Sequence, residues 1–232
     1  MHPMAIRRAA CATGRRAHRL AGLLDNGHQT DTIRNMTAIQ TGADPGAIQL
    51  DGARAGVFAT RLAELMGIYE RPAGSRIDRG LVGAVIGAAA RAGLAEQVAA
   101  RRDAREPGDD TILALLHALR ESPRPIGEIT RLAVIFGYER LARLVSASEP
   151  SLRRYAAEAR VTPDPVAERI HYLAQLVAIL RGSFNEFGIR RWFERPHPAL
   201  QGSAPIVLLG GEYDPADPGP RAAMDAALGL LA

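Results

Sequence analysis

Arginines at 140, 143, 153, 154 and 160 punctuate the stretch Glu139 to Arg160, with Ser148, Ser151 and Tyr155 set among them. A guanidinium can read guanine through paired N–H donors, or it can neutralise a phosphate. Helical spacing puts Ser151 and Arg154 on the most outward stripe, where they could reach base edges. Arg143 and Arg153 lie to the side and suit phosphate contacts. Glu158, on the same stripe, would repel phosphate unless paired. Tyr155 is expected half in the core and half at the rim. The chemistry this set offers is nucleic-acid recognition; the bland alternative is an ordinary helical hairpin with solvated arginines.

These side chains need two short helices meeting at a tight corner. Leu141, Leu144 and Val145 make the apolar face of the first. Ser146-Ala147-Ser148 is the corner, with Ser148 as N-cap and Pro150 in the opening turn of the next helix. That reading helix, Glu149 to Ala157, directs Leu152 and Tyr155 or Ala156 inward, with Ala159 following on the same side. Upstream, Ile129, Leu132, Ala133 and Phe136 line a helix that stops at Gly137. Downstream, Thr162-Pro163-Asp164-Pro165 opens a helix running to about Arg181. Its apolar positions Val166, Ile170, Leu173, Val177 and Leu180 form a coiled-coil-like seam, fit to pack on the bundle or to make a dimer interface. This is the layout of a helix-turn-helix. Specific binding by so modest a charge implies operator DNA with a palindromic site and a homodimer.

Charge must be read locally. The chain of 232 residues has no lysine, and its net +4 is already reached in residues 1–35, where six arginines meet two aspartates. Arg131 to Arg160 holds six arginines against three glutamates. Ala-, Leu- and Arg-rich runs with 5% aromatics predict an all-α fold. The single cysteine, Cys11, excludes an internal disulfide and a cysteine-based zinc site, in keeping with a cytoplasmic location. The longest apolar run, Gly80 to Ala90, is too short to span a membrane.

Four regions are expected. Residues 1–40 read as a disordered basic extension without the apolar core of a secretory signal, and Met36 is an alternative translation start. Residues 41–122 read as a helical region of unassigned role. It holds a helix around Val57 to Tyr69, a second element from Leu81 to Ala104 broken near Gly93, and a third from Thr111 to Arg120. The acids of the turn before Thr111 are expected to cap that third helix. Residues 123–181 hold the helix-turn-helix and its connecting helix, and residues 182–232 a C-terminal module. No nucleophile elbow, Walker loop, dinucleotide fingerprint or His-Glu-x-x-His is present. His117 and His171 read as surface or satisfied core; Asp109, Asp110, Asp214 and Asp217 read as turn residues. Neither an enzyme nor a metal or cofactor site is expected.

The C-terminal module carries the second signal. Gly188 to Leu209 reads Gly-Ile-Arg-Arg-Trp-Phe-Glu-Arg-Pro-His-Pro-Ala-Leu-Gln-Gly-Ser-Ala-Pro-Ile-Val-Leu-Leu. With the helix-turn-helix before it, residues 125–232 resemble the Xre/MbcA/ParS-type antitoxins. Trp192, Pro196, Leu200, Gly202, Pro205, Leu208 and Leu209 match the pattern of that family's toxin-binding domain. The resemblance implies a RES-domain toxin that consumes NAD as partner, and autorepression of a shared operon. It assigns Trp192, Leu200, Leu208 and Leu209 mainly to holding the module together, and makes Gly211, Glu212 and Tyr213 candidates for toxin contact. Phe193 and His197 stand where the family has leucine and asparagine. Asp214 to Pro220 interrupts what is there a continuous terminal helix, and the residues before Ile126 have no counterpart in the compact antitoxins. A stand-alone regulator whose C-terminal module only dimerises is the alternative.

Overall fold

In the computed structural model, residues 50–231 are described. They fold into ten α-helices and two short 3-10 turns, with no strand among them. The expectations for residues 1–40, including Cys11 and Met36, and for residues 41–49 lie outside the described residues. Helix α1 (Gly52–Leu65) starts earlier than its apolar spacing suggests, because Asp51 caps it by accepting from the Arg54 N–H at 2.8 Å. Helix α2 (Arg79–Arg91) is capped in the same way by Asp78, and Gly93 at φ +77 separates it from the single turn α3 (Glu96–Ala99). Helix α4 (Asp109–Arg120) has Gly108 as N-cap and no side-chain cap. The turn acids therefore do not cap it as expected: Asp109 and Asp110 sit inside its first turn. Asp103 organises the turn instead, accepting from the Gly108 N–H and the Thr111 hydroxyl. These bonds, the Gly108 one foremost, hold its carboxyl below the usual carboxylate range.

Helix α5 (Pro125–Leu144) is two helices, 125–136 and 138–144, joined at Gly137, whose φ of +72° needs a residue without Cβ. Then follow α6 (Glu149–Ala156), α7 (Asp164–Leu180), α8 (Glu186–Glu194), a 3-10 turn at Pro198–Leu200, α9 (Pro205–Leu208) and α10 (Pro218–Leu228). Helix α7 is the axis of the molecule. From Ile170 to Leu180 every residue but Gln175 is buried, so it is not the one-sided seam its 4-3-4-3 spacing suggested. It packs against α1, α5 and α10 at once, which uses up the face a dimer seam would need.

The core runs through all three helical regions without a break, and the described residues 50–231 belong to one compact unit. The boundaries expected at 122/123 and 181/182 therefore do not separate cores. A buried polar link crosses the first of them. His171 on α7 places Nδ1 2.6 Å from Oε1 of Glu128 on α5, and its Nε2 2.9 Å from the Arg120 carbonyl at the end of α4. Among the described residues, no helix is long and apolar enough to cross a membrane.

Candidate nucleic-acid interface and partner module

Residues 138–144 and α6 are joined by Val145-Ser146-Ala147-Ser148. Both helices end in the same way. Ser146 (φ +52°) and Glu158 (φ +57°) take the left-handed position just past each end, and the next N–H bonds back to the helix, Ala147 to the Ala142 carbonyl and Ala159 to that of Arg154. Ser148 caps α6 as expected: its Oγ accepts from the Ser151 N–H at 3.2 Å and donates to the Ser151 hydroxyl at 2.8 Å. Ser151 keeps its own proton for an outward donor but is tied into the cap.

The structure sorts the expected contacts. Leu152 (0% exposed) and Tyr155 (4%) anchor α6 to the core, so Tyr155 is a packing residue and not a rim contact. Arg153 is held twice: its Nε and Nη2 donate to Glu149 Oε1 at 3.1 and 2.7 Å, and its guanidinium lies 4.1 Å over the Tyr138 ring. Tyr138 went unnoticed in the sequence, where its place just after the Gly137 break was the only clue. Arg143 and Glu139 are 3.7 Å apart and both largely exposed, a pair worth about 0.3–0.5 kcal/mol that a phosphate could displace. Arg140 is committed elsewhere, reaching Glu194 on α8 at 2.9 Å. Arg154 is exposed and, among the described residues, has no ion-pair or side-chain hydrogen-bond partner. It is the arginine on α6 left for an external ligand.

Two expectations at the end of this helix are corrected. Glu158 leaves the outward stripe because the left-handed turn swings it off the helix axis, and Ala159 is exposed, not inward. A left-handed conformation costs an L-residue roughly 1–2 kcal/mol that glycine avoids. Glu158→Gly is accordingly expected to stabilise the protein by about 1 kcal/mol in urea unfolding. A fall in stability would mean that Glu158 makes a compensating contact.

The C-terminal module is built around Trp192 and Phe193 on α8. Phe193 is fully buried and meets Phe136 edge-on at 4.9 Å, so an aromatic at this position welds the module to α5. Trp192 is 5.3 Å from Phe193 and 4.9 Å from the His197 ring, whose Nε2–H donates to the Trp192 carbonyl at 2.8 Å. His197 also closes its loop: its N–H meets the Ser203 carbonyl, and its own carbonyl accepts from Leu200 and Gly202. Leu200, Pro205 and Leu209 are buried, Leu208 is half-buried, and Pro196, Gly202, Gly211 and Glu212 are exposed. Tyr213 is buried instead, edge-on to Tyr172 at 6.0 Å and beneath the Arg169 guanidinium at 5.5 Å. Burial pushes its hydroxyl pKa well up. It belongs to the core and is no candidate for surface contact.

The terminal segment is docked on its own domain. Tyr172 donates to the Pro220 carbonyl at 2.8 Å, and Ala223 and Ala227 are fully buried. Arg169 on α7 spans both halves of the candidate site, bonding to the Tyr213 carbonyl at 2.8 Å and reaching the Val145 carbonyl in the helix corner at 3.4 Å. The exposed large apolar residues of the module are Phe187 on α8 (65%), Val207 on α9 (70%) and Leu230 near the end (42%); the first two lie on helices that pack together. Neither was a candidate from sequence, because helical spacing alone cannot separate an outward apolar residue from a core one.

Comparison with protein families, with curated proteins and with solved structures gives no match.

Proposed function

We propose that this protein is an antitoxin-like, DNA-binding transcriptional regulator of the cytoplasm. In this reading α6 enters the major groove of operator DNA, a homodimer reads the two half-sites, and residues 182–232 bind and neutralise a RES-domain toxin that consumes NAD. One observation carries it: a short helix with a serine cap and two buried anchors presents an unpaired Arg154, behind a four-residue corner that Arg169 ties to the C-terminal module. The partner's identity rests on the resemblance of the Trp192 to Leu209 block.

Because Tyr213 is buried and the terminal helix docks one face on its own domain, the partner surface is assigned to Phe187 and Val207 together with exposed Gly211 and Glu212. Large apolar side chains left this open on a small module are what a protein partner covers. Tagged full-length protein recovered from its own cells should carry a stoichiometric small NAD-consuming partner, identified by mass spectrometry. Phe187→Asp with Val207→Asp should abolish that capture and leave the circular dichroism spectrum unchanged. Recovery of only the protein itself and DNA would remove the toxin from the reading and leave a stand-alone regulator.

A further inference from the structure

A second concentration of arginine lies apart from α6. The C-terminal part of α1, the loop after it, the first half of α5 and the end of α7 border an open cleft of about 230 Å³. Its walls carry Arg71, Arg131 and Arg181 with Glu64 and Glu70. Arg61, one turn before Glu64, completes a group of four half-buried arginines. Only Arg71 has a carboxylate partner, with Nε donating to Glu64 Oε1 at 3.0 Å. Among the described residues, Arg61, Arg131 and Arg181 make no ion pair and no side-chain hydrogen bond.

Each of these forks carries five N–H donors, and those facing the cleft are open to an external acceptor. Two of them lie against glycines. A Cβ at Gly67 would stand 2.8 Å from Arg131 Nη1, and one at Gly182 would stand 2.8 Å from Arg61 Nη1. Burial first, then the neighbouring Arg71 and Arg181 charges, pushes the Arg61 guanidinium pKa down against the pull of Glu64. Burial does the same to Arg181, helped by Arg131 and opposed by Glu64 and Glu186. The cleft thus gathers more guanidinium groups than carboxylates, and Glu64 is engaged by Arg71 alone.

We propose that this cleft binds a small ligand through an oxyanion, a phosphate group, held by the forks of Arg131 and Arg181, with the neighbouring Arg61 adding positive charge. Of the two carboxylates on the walls, Glu64 is paired with Arg71, which leaves Glu70 as the one that opposes a bound anion. The cleft, of about 230 Å³ and open to solvent, suits a small phosphorylated group. Tyr69 and Val134, also on the walls, offer apolar surface to its carbon skeleton. The inference does not depend on the DNA-binding reading.

The test uses the full-length protein with inorganic phosphate and pyrophosphate as probes, against sodium chloride at matched ionic strength. Pyrophosphate is expected to bind saturably in calorimetry and to raise Tm beyond the chloride control. Arg131→Gln should weaken that binding about tenfold, by removal of one charged donor set. Glu70→Gln, at an exposed position where folding is not at stake, should strengthen it about fivefold by removing a nearby like charge. Stabilisation that only tracks ionic strength would overturn the proposal, as would Glu70→Gln binding no more tightly. A phosphate of the nucleic-acid backbone is the other source of this chemistry. Unchanged pyrophosphate binding in Arg131→Gln with a loss of DNA affinity would assign the arginines to DNA and overturn the small-ligand site.

Discussion

Replacing Glu128 by alanine is expected to lower the free energy of unfolding by about 3–5 kcal/mol, a large part of the roughly 5–15 kcal/mol that holds a domain together. Glu128 is fully buried and His171 is 4% exposed. The imidazole Nε2 faces the Arg120 carbonyl, an acceptor only, so that nitrogen carries a proton. The 2.6 Å contact between Nδ1 and Glu128 Oε1 then needs a proton of its own, shared between ring and carboxyl. Alanine at 128 leaves the ring nitrogen buried with no partner and opens a cavity beside it. Glu128→Gln, which keeps the volume and one hydrogen bond to Nδ1, should lose distinctly less. His171→Ala should lose as much as Glu128→Ala, and the double variant much less than the sum, because the first substitution already orphans the second residue. Urea unfolding followed by circular dichroism reads all four proteins. A loss under about 1 kcal/mol for either alanine variant would show that water reaches the pair. Glu128 Oε2 has no hydrogen-bond partner among the described residues, so the link is already imperfectly satisfied. Its value to the fold is to fix one arrangement of α4, α5 and α7, three helices drawn from two regions of the sequence.

That link also marks how far the sequence could be read. Local rules worked wherever one residue decides the backbone. Ser148 caps α6, Pro150 opens it, and the Gly137 and Gly93 breaks fall at positive φ, which glycine adopts most readily. The all-α class followed from helix formers with few strand formers. What local rules missed were choices made by neighbours distant in sequence. The spacing in α7 shows one apolar face, yet α1 and α10 cover the others. Tyr213 sits beside Gly211 and Glu212 in the chain, and only the approach of Tyr172 and Arg169 takes it inside. The arginine cleft was equally invisible, because Arg61, Arg71, Arg131 and Arg181 are spread along the chain and meet only after folding. On α6 the outward positions were legible from the 3.6-residue period. The pairing of Arg153 with Glu149 and Tyr138, which separates it from Arg154, was not.

That separation makes the decisive test of the DNA reading a comparison of arginines. Arg154→Ala is expected to weaken binding to the DNA upstream of the protein's own gene by roughly 10- to 100-fold, the range for loss of a bidentate base contact worth about 1–3 kcal/mol. Arg154 is exposed and has no protein partner among the described residues, so stability should change by less than about 0.5 kcal/mol and the loss can be read as interface chemistry. Arg143→Ala removes only a displaceable surface pair. It should weaken binding uniformly across sequences and reduce the slope of log K against log salt by about one. Arg153→Ala is expected to lie between them, because it also frees Glu149 to repel phosphate and uncovers the Tyr138 ring. Fluorescence anisotropy over a salt series, with the upstream fragment and a scrambled one, separates the three behaviours. If Arg154→Ala leaves both the affinity and the salt slope unchanged, α6 is a solvated helix on a helical scaffold. The functional reading would then have to be rebuilt from the C-terminal module and the arginine cleft alone.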